Sequence, residues 1–253
     1  EAARAQIERL SYYNTFFNTT TAPTAELAGK LAEITPDGLE HVVFTNSGSE
    51  AVDSALRFAR QFWLLEGQPE KRIIIGREEG YHGSTLAAAS AGGIRAMHEQ
   101  AGLLLPDFAH IGAPYAFRDA GSAPAAVFAK KAARLLEDKI KEFGAWRVAA
   151  FIAEPIQGAG GVIIPPTGYL KEIERICREY DVLLIIDEVI CAFGRLGAWT
   201  ASEHFGLRPD LMTMAKGLSS GYQPIAALMI GDRVARAIVE EGGDLAHGFT
   251  YAG

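Results

Sequence analysis

The sequence predicts a three-layer α/β/α fold, in which helices cover both faces of a mostly parallel central sheet. Short apolar segments alternate with longer segments of helical periodicity along the whole chain. Most of the short segments are apolar throughout, which is typical of strands that are buried on both faces. We find no internal repeat or proline-rich linker, and therefore expect a single domain over residues 1–253.

The individual elements follow from these patterns. In the segment 168–180, for example, apolar residues recur at helical spacing and form one stripe. The segment 112–124 shows neither pattern, and we expect a surface loop there. The predicted strands are 41–45, 72–76, 108–111, 148–153, 182–186, 211–214 and 226–230, and the predicted helices are 25–34, 50–66, 84–91, 125–143, 168–180 and 234–241.

Composition excludes several classes of function. The chain is 49% hydrophobic and 22% charged with a net charge of -7, so nothing in its charge favours nucleic acid or an anionic membrane as a partner. We find no apolar run of membrane-spanning length and no signal-like N-terminus. Cys177 and Cys191 lie in apolar segments without ligand-spaced neighbours, so we expect buried free thiols, no metal site and a cytoplasmic location.

A turn of small residues follows the first predicted strand. Gly48 and Ser49 allow a ligand to approach the backbone where the next helix begins with Glu50. The free N–H groups of a helix N-terminus suit a phosphate. The same residues also make a good helix cap, so this motif is weak when taken alone.

Two ring side chains, Tyr81 and His82, lie between Gly80 and Gly83. This pattern indicates a turn that presents an aromatic face, on which a flat heteroaromatic ligand could stack. A buried tyrosine and a structural histidine would explain the motif equally well.

A carboxylate follows the apolar residues 183–186 directly, at Asp187. An ionised carboxylate at the end of a buried strand is costly unless it is paired or hydrogen-bonded. A protonated pyridine nitrogen would be such a partner, because a carboxylate keeps that ring charged as an electron sink. Helix capping and metal binding are the alternatives.

Lys216 follows another apolar strand, in a turn of small residues that lacks neighbouring charge. Removal from water favours the neutral, nucleophilic form of a lysine amine, which Schiff-base chemistry requires. We therefore expect Lys216 to be desolvated, although a solvated surface lysine is the common case.

Glu154 also follows a predicted strand, ahead of a glycine-rich turn. A metal pair with Asp187 is conceivable, but no histidine has matching placement. The pattern G-x-S-x-G is absent around Ser47 and Ser49, which argues against a hydrolase. Neither a dinucleotide fingerprint nor a P-loop is present.

These motifs occur in an order that is more specific than any one of them. The strings FTNSGSEA, YHGST, FIAEPIQGAGG, IIDEVICAFGR, MTMAKGLSSGYQP and HGFTYAG resemble the successive signatures of the fold-type I enzymes that use pyridoxal 5'-phosphate (PLP), and specifically of the class III aminotransferases. Within that class they are most similar to the ω-amino-acid/amine:pyruvate aminotransferases. The resemblance covers essentially the whole chain.

The resemblance implies a role for each matching position. Lys216 would hold PLP as a Schiff base and move the substrate proton, and Asp187 would pair with the pyridine nitrogen. Tyr81 would stack on the ring with His82 beside it, and Val189 would pack on the other face. The remaining implied contacts are Gly48 and Ser49 with the phosphate, Glu154 near the ring, Phe249 and Thr250 at the phosphate of a neighbouring subunit, and Phe16, Phe17 and Ala159 around the substrate.

The implied enzyme moves an amino group from an amine or ω-amino acid to pyruvate or a similar keto acid by a ping-pong mechanism. It would be a homodimer or larger, with active sites at the subunit interface. The resemblance further implies that residues 1–253 are the PLP-binding large domain of a longer chain with an N-terminal segment and a C-terminal small domain. Other PLP reactions on this fold, an aminomutase or a decarboxylase, remain the main alternative, and a cofactor-free Schiff-base lyase and a binding module are further ones.

Overall fold

The computed structural model of the chain describes residues 1–16, 19–102, 104–243 and 245–252. Over these residues seven strands form one sheet in the order β1-β7-β6-β5-β4-β2-β3. Strand β7 runs antiparallel to both of its neighbours, whereas the pairs from β6 to β3 are parallel. The strands are β1 (His41–Thr45), β2 (Ile73–Arg77), β3 (Phe108–Ile111), β4 (Val148–Ala153), β5 (Leu183–Asp187), β6 (Leu211–Met214) and β7 (Ala226–Ile230).

Helices cover both faces of the sheet. They are α1 (Ala2–Arg9), α2 (Ala22–Ile34), α3 (Gly48–Leu65), α4 (Leu86–Ala91), α5 (Arg95–Ala101), α6 (Ala116–Asp119), α7 (Ala125–Phe143), α8 (Tyr169–Glu179), α9 (Ala201–Phe205) and α10 (Asp232–Glu241), with 3-10 turns at Ala145–Arg147 and Lys216–Leu218.

The alternation of side chains along β5 shows how the layers are built. Leu183 and Ile185 pack on one face with residues of α3, α4 and α10. Leu184 and Ile186 pack on the other face with residues of α7 and α8. Every residue of β5 is buried, and residues 183–186 are apolar throughout, as expected for a strand covered on both faces; the predicted three-layer α/β/α architecture is confirmed.

Helix α3 begins immediately after β1 because its first turn is capped from both directions. The Ser47 hydroxyl accepts from the Glu50 N–H at 3.2 Å, and the Glu50 carboxylate accepts from the Asn46 N–H at 2.7 Å. Further along the helix, the buried Trp63 donates its indole N–H to the Ala149 carbonyl of β4 at 2.8 Å. The helix is thereby fixed across the sheet, with its N-terminus at the end of β1.

Five predicted strands have the observed bounds, and β2 and β5 lie one residue further along the chain. That shift brings Asp187 into β5 itself. Helices α1, α5, α6 and α9 were not predicted, and the expected loop 112–124 contains the one-turn helix α6. Helix α9 carries a local Thr200/Glu203 capping box that the prediction overlooked, and Glu188 also caps its first N–H groups.

Two composition-based expectations can be checked on the described residues. Both cysteines are buried and free, as predicted. None of the helices in the described ranges is both long enough and apolar enough to cross a membrane.

Candidate active site

The four predicted motifs meet in one cleft at the carboxyl ends of the strands. The cleft encloses about 430 Å³ including its open mouth. Strands β1, β2, β4, β5 and β6 all run in the same direction and end at this edge, which is where open α/β sheets bind ligands. The lining residues are Gly48, Ser49, Tyr81, His82, Gly83, Glu154, Asp187, Val189, Ile190 and Lys216.

Asp187 is only 3% exposed, and three donors hold its carboxylate. Oδ2 accepts from His82 Nδ1 at 2.7 Å, and Oδ1 accepts from the Thr213 hydroxyl at 2.9 Å and the Val189 N–H at 3.1 Å. A carboxylate can accept about four hydrogen bonds, so acceptor capacity remains on the side that lines the cleft. The carboxylate is therefore fixed in orientation and still able to pair with a ligand cation.

Glu154 is buried beside this group and organises the backbone around it. Its Oε1 accepts from the Tyr81 N–H and its Oε2 from the Gly158 N–H, both at 2.9 Å. Burial raises the pKa of Glu154, nearby Asp187 raises it further, and His82 and the two N–H donors act in the opposite direction. Glu154 thus connects the loop that presents Tyr81 with the glycine-rich turn after β4.

The N-terminus of α3 forms one wall of the cleft, where Gly48 and Gly83 pack closely against neighbouring side chains. A Cβ on Gly48 would lie 3.1 and 3.2 Å from the two methyl groups of Val189. At Gly83, where φ is +137°, a Cβ would lie 2.5 Å from the Ser49 hydroxyl oxygen. That oxygen accepts from the Ser84 N–H at 3.0 Å, so its own hydrogen remains available to an anion.

Tyr81 lies on the wall next to this helix terminus. Its hydroxyl and the Ser84 hydroxyl are 3.1 Å apart, and its N–H is held by Glu154. The ring is half-buried in the loop and lines the cleft. An aromatic face and an anion-binding helix terminus therefore lie side by side.

Lys216 shares the cleft with Asp187, but its environment differs from the predicted one. Its side chain is exposed in the single chain, so the expectation of a desolvated lysine is wrong for this chain alone. The physical reason is the open cleft, in which no other element of the described residues covers the amine. Its backbone is unusual, with φ at 41° in the left-handed region that glycine favours.

Four of the predicted site residues lie outside the cleft. Phe249 packs at the edge of the cluster that includes α2, and the side chain of Thr250 is exposed. The Phe16 ring lies against Gly248, and Ala159 is exposed in the turn after β4. Their roles at a subunit interface stay predictions, and Phe17 lies outside the described residues.

Two further residues hold the site together and were missed in the sequence. Thr213 is opposite Asp187 in the β5–β6 pairing, a register that a sequence pattern does not specify. Glu188 is fully buried and points away from the cleft, where its carboxylate accepts from the Ala201 and Ser202 N–H groups at 2.9 and 2.6 Å. The adjacent acids Asp187 and Glu188 therefore have different functions, one facing the cleft and one capping α9.

PLP fits the donor set of the cleft. The N-terminus of α3 with Ser49 would take the phosphate, Tyr81 and Val189 would lie on the two faces of the ring, and Asp187 would face its nitrogen. The amine of Lys216 lines the same cleft, within the set of groups that would surround the ring. A Cβ at position 48 would press on the Val189 methyl groups, which would lie against one face of such a ligand.

Comparison with known proteins agrees with this geometry. A family model described as aminotransferase class-III matches residues 1–253. The chain is 49% identical over 253 residues to the putrescine–pyruvate aminotransferase of Pseudomonas aeruginosa, covering all of this chain and 55% of that protein. The chain thus spans about half the length of the curated relatives it matches.

Solved structures give the same result. A thermostable (S)-enantioselective omega-transaminase from Thermomicrobium roseum superimposes with a TM-score of 0.97 at 42% identity, covering 100% of this chain and 56% of that one. The omega transaminase of Pseudomonas jessenii in complex with PMP superimposes with a TM-score of 0.96 at 44% identity, covering 99% and 56%. The match of the family model to every residue of the chain, together with these likenesses, shows that the chain belongs to the class III aminotransferases.

Proposed function

We propose that the chain forms the PLP-binding large domain of an aminotransferase, which moves an amino group from an amine or ω-amino acid to pyruvate or a similar keto acid. The observation that carries this proposal is the single cleft that contains the amine of Lys216, the carboxylate of Asp187 and the N-terminus of α3. The relatives named above, which include a putrescine–pyruvate aminotransferase at 49% identity, support an amine donor and pyruvate as acceptor.

PLP, when bound, supplies an electron sink that stabilises negative charge at the substrate carbon next to the transferred nitrogen. The residues of this chain provide the rest. Asp187, held by His82 and Thr213, would face the nitrogen of the bound ring and keep it charged. Lys216 Nζ would accept the proton from the substrate carbon as a general base and return it as a general acid.

A second copy of the chain would complete the site. Phe249 and Thr250 lie outside the cleft of their own chain, and the side chain of Thr250 is exposed. We place them at the phosphate of the neighbouring subunit, with Phe16 and Ala159 at the substrate. The second copy would also cover Lys216 and supply the desolvation that the single chain lacks. The proposed enzyme is thus a cytoplasmic homodimer or larger assembly of such pairs.

Replacement of the lysine tests the proposal. In the intact protein, Lys216→Ala is expected to abolish the visible absorbance of covalently held PLP and to lower alanine formation from amine and pyruvate by at least about 10³-fold. Lys130→Ala is the matched control, because Lys130 is exposed on α7 and is not among the residues that line the cleft. Retention of the absorbance and of turnover in Lys216→Ala would reject the proposal.

The same assay separates the alternative reactions on this fold. Formation of alanine with stoichiometric loss of the donor amine supports transamination. Release of carbon dioxide, or rearrangement of the donor without any need for pyruvate, would instead indicate a decarboxylase or an aminomutase. A panel of diamines, ω-amino acids and aromatic amines then identifies the donor class.

A further inference from the structure

His247 forms a junction between α3 and the segment 245–252. Its Nε2 lies 2.8 Å from the Ser54 hydroxyl, and its Nδ1 lies 3.0 Å from Nη1 of Arg57. Arg57 also donates from Nη2 to the carbonyl of Ala246 at 2.6 Å. The segment is therefore bound to the middle of the helix whose first turn is at the cleft.

These contacts select one protonation state of the ring. The Ser54 hydroxyl donates to the Glu50 carbonyl at 2.7 Å, so its oxygen accepts from His247 and Nε2 must carry a hydrogen. Arg57 can only donate, so Nδ1 must accept. Both contacts are satisfied by the neutral Nε2–H tautomer. A second proton on Nδ1 would face the guanidinium group and break the contact.

Two aromatic rings also contact the His247 imidazole. Phe58 and Phe249 contact it edge to face, with centroid distances of 5.1 and 5.4 Å. Arg57, on α3, is the charged group that contacts the ring among the described residues. Burial lowers the pKa of His247, and the charge of Arg57 lowers it further.

On the far side, the N-terminal residues hold the same segment. The Tyr12 hydroxyl donates to the Thr250 carbonyl at 2.9 Å, and the Thr15 hydroxyl donates to the Ala252 carbonyl at 3.1 Å. The backbone around Thr250 is therefore fixed from two sides while its side chain stays exposed. This is the arrangement expected for a side chain that is presented to another molecule.

We propose that neutral His247 is a positioning residue, which fixes the segment that presents Thr250 to the cofactor phosphate of a second copy, and that protonation of His247 releases this segment and weakens cofactor binding. The inference rests on the proposed function, because it assigns the phosphate to that second copy. The inference also links two proposed phosphate contacts. Helix α3 contributes Gly48 and Ser49 to the phosphate site of its own chain, and the same helix holds the segment that presents Thr250 to the phosphate site of the second copy.

The expected pH dependence has a definite sign. A histidine whose pKa is lower in the docked segment than in a released one binds fewer protons when docked. The docked state therefore loses stability as the pH falls below about 6.5, the ordinary pKa of histidine, and the loss is complete below the lowered value. Above this range the contact is unaffected.

The experiment measures the affinity for PLP itself. The intact protein, with its cofactor removed, is titrated with PLP between about pH 5.5 and 7.5, and binding is followed by absorbance. His247→Gln carries a donor and an acceptor but no titrating ring, and it serves as the conservative variant. We expect wild type to lose affinity relative to His247→Gln by at least about threefold on acidification. His247→Ala, which lacks both contacts, should bind PLP more weakly than His247→Gln at every pH in this range.

A second variant keeps the test decisive if His247→Gln does not fold. Arg57→Gln retains a donor to Nδ1 without the charge, so its affinity should fall less on acidification than that of wild type. A wild-type to His247→Gln ratio that is constant over the whole range, with both proteins binding PLP, would overturn the inference while leaving the proposed function intact. Failure of wild type to bind PLP at any pH would instead overturn the proposed function, and the inference with it.

Discussion

Charged side chains are buried at both ends of the sheet, but the chain satisfies their hydrogen-bonding capacity to different extents. At the carboxyl ends, Asp187 and Glu154 are each 3% exposed, and Asp187 keeps an unused acceptor position toward the cleft. At the amino ends, Lys71 is also 3% exposed, and its ammonium group lies 3.4 Å from the centroid of the Trp63 ring. It donates to the Asp181 carbonyl and lies 3.7 Å from the Asp181 carboxylate.

The comparison teaches that burial of charge alone does not identify a functional site. Lys71 is satisfied within its own chain, by a carboxylate, a carbonyl and an aromatic face. Asp187 is held only by donors and faces a cleft. The informative feature is therefore a buried charge whose hydrogen-bonding capacity the chain itself does not exhaust.

The largest expected effect that tests this contrast is on turnover. Asp187→Asn removes the charge that we propose lies opposite the cofactor nitrogen, and we expect a loss of at least about 10²-fold in the rate of amino transfer, with weaker retention of PLP. Steady-state and single-turnover kinetics measure it.

Asp210→Asn is the matched control. Asp210 is a buried aspartate at the amino ends of the strands, bonded to the Leu184 N–H at 2.8 Å and to Arg178 at 2.7 Å. It should lower stability and leave the chemical step near its normal rate. Equal loss of rate in the two variants would remove the distinction between the two ends of the sheet.

An intermediate effect is expected at Lys71, on the pH dependence of the unfolding free energy. Burial lowers the pKa of Lys71 to about 8, with the charge of Asp181 acting against this shift. Because the unfolded chain keeps the proton up to about pH 10.5, the folded state is disfavoured below pH 8 and gains stability as the pH rises from about 8 to 10.5. A shift of this size corresponds to about 3 kcal/mol.

Lys71→Met should therefore flatten the dependence of the unfolding free energy on pH in this window. The substitution leaves no buried unpaired charge, since Asp181 is half exposed and also pairs with Arg233 at 2.8 Å. Urea denaturation at pH 7 and pH 10 measures the difference. Lys30→Met, at an exposed pair, is the control, and a dependence on pH that is as steep in Lys71→Met as in wild type would contradict this account.

The smallest effect of the three is expected at Glu188, on the unfolding free energy. The chain itself satisfies the hydrogen-bonding capacity of this buried carboxylate, which lies beside the cleft. Glu188→Gln keeps an oxygen for one N–H of α9 and places an amide against the other, and should cost about 1–3 kcal/mol of unfolding free energy. Glu203→Gln, on the exposed first turn of α9, should change stability by less than about 0.5 kcal/mol. Thermal unfolding compares them, and equal stability of both variants would indicate that the buried cap contributes nothing.

The parts of the fold that were predictable depend on local patterns. Asp187 and Lys216 each follow an apolar strand, and parallel strands end at one edge, so their common location could be expected from sequence. Thr213 and Glu188 could not be assigned, because strand register and the packing of α9 are long-range properties. His247 meets Ser54 across 193 residues, and no local pattern contains that contact.

The backbone at Lys216 has a consequence for engineering. With φ at 41°, a side chain with a Cβ at position 216 costs roughly 1–2 kcal/mol relative to glycine. Lys216→Gly should therefore melt at a higher temperature than Lys216→Ala, although both lack the amine. A substitution that raises thermal stability at position 216 also removes the amine of the proposed site. Stabilising substitutions that are to preserve the proposed activity therefore have to be made at other positions.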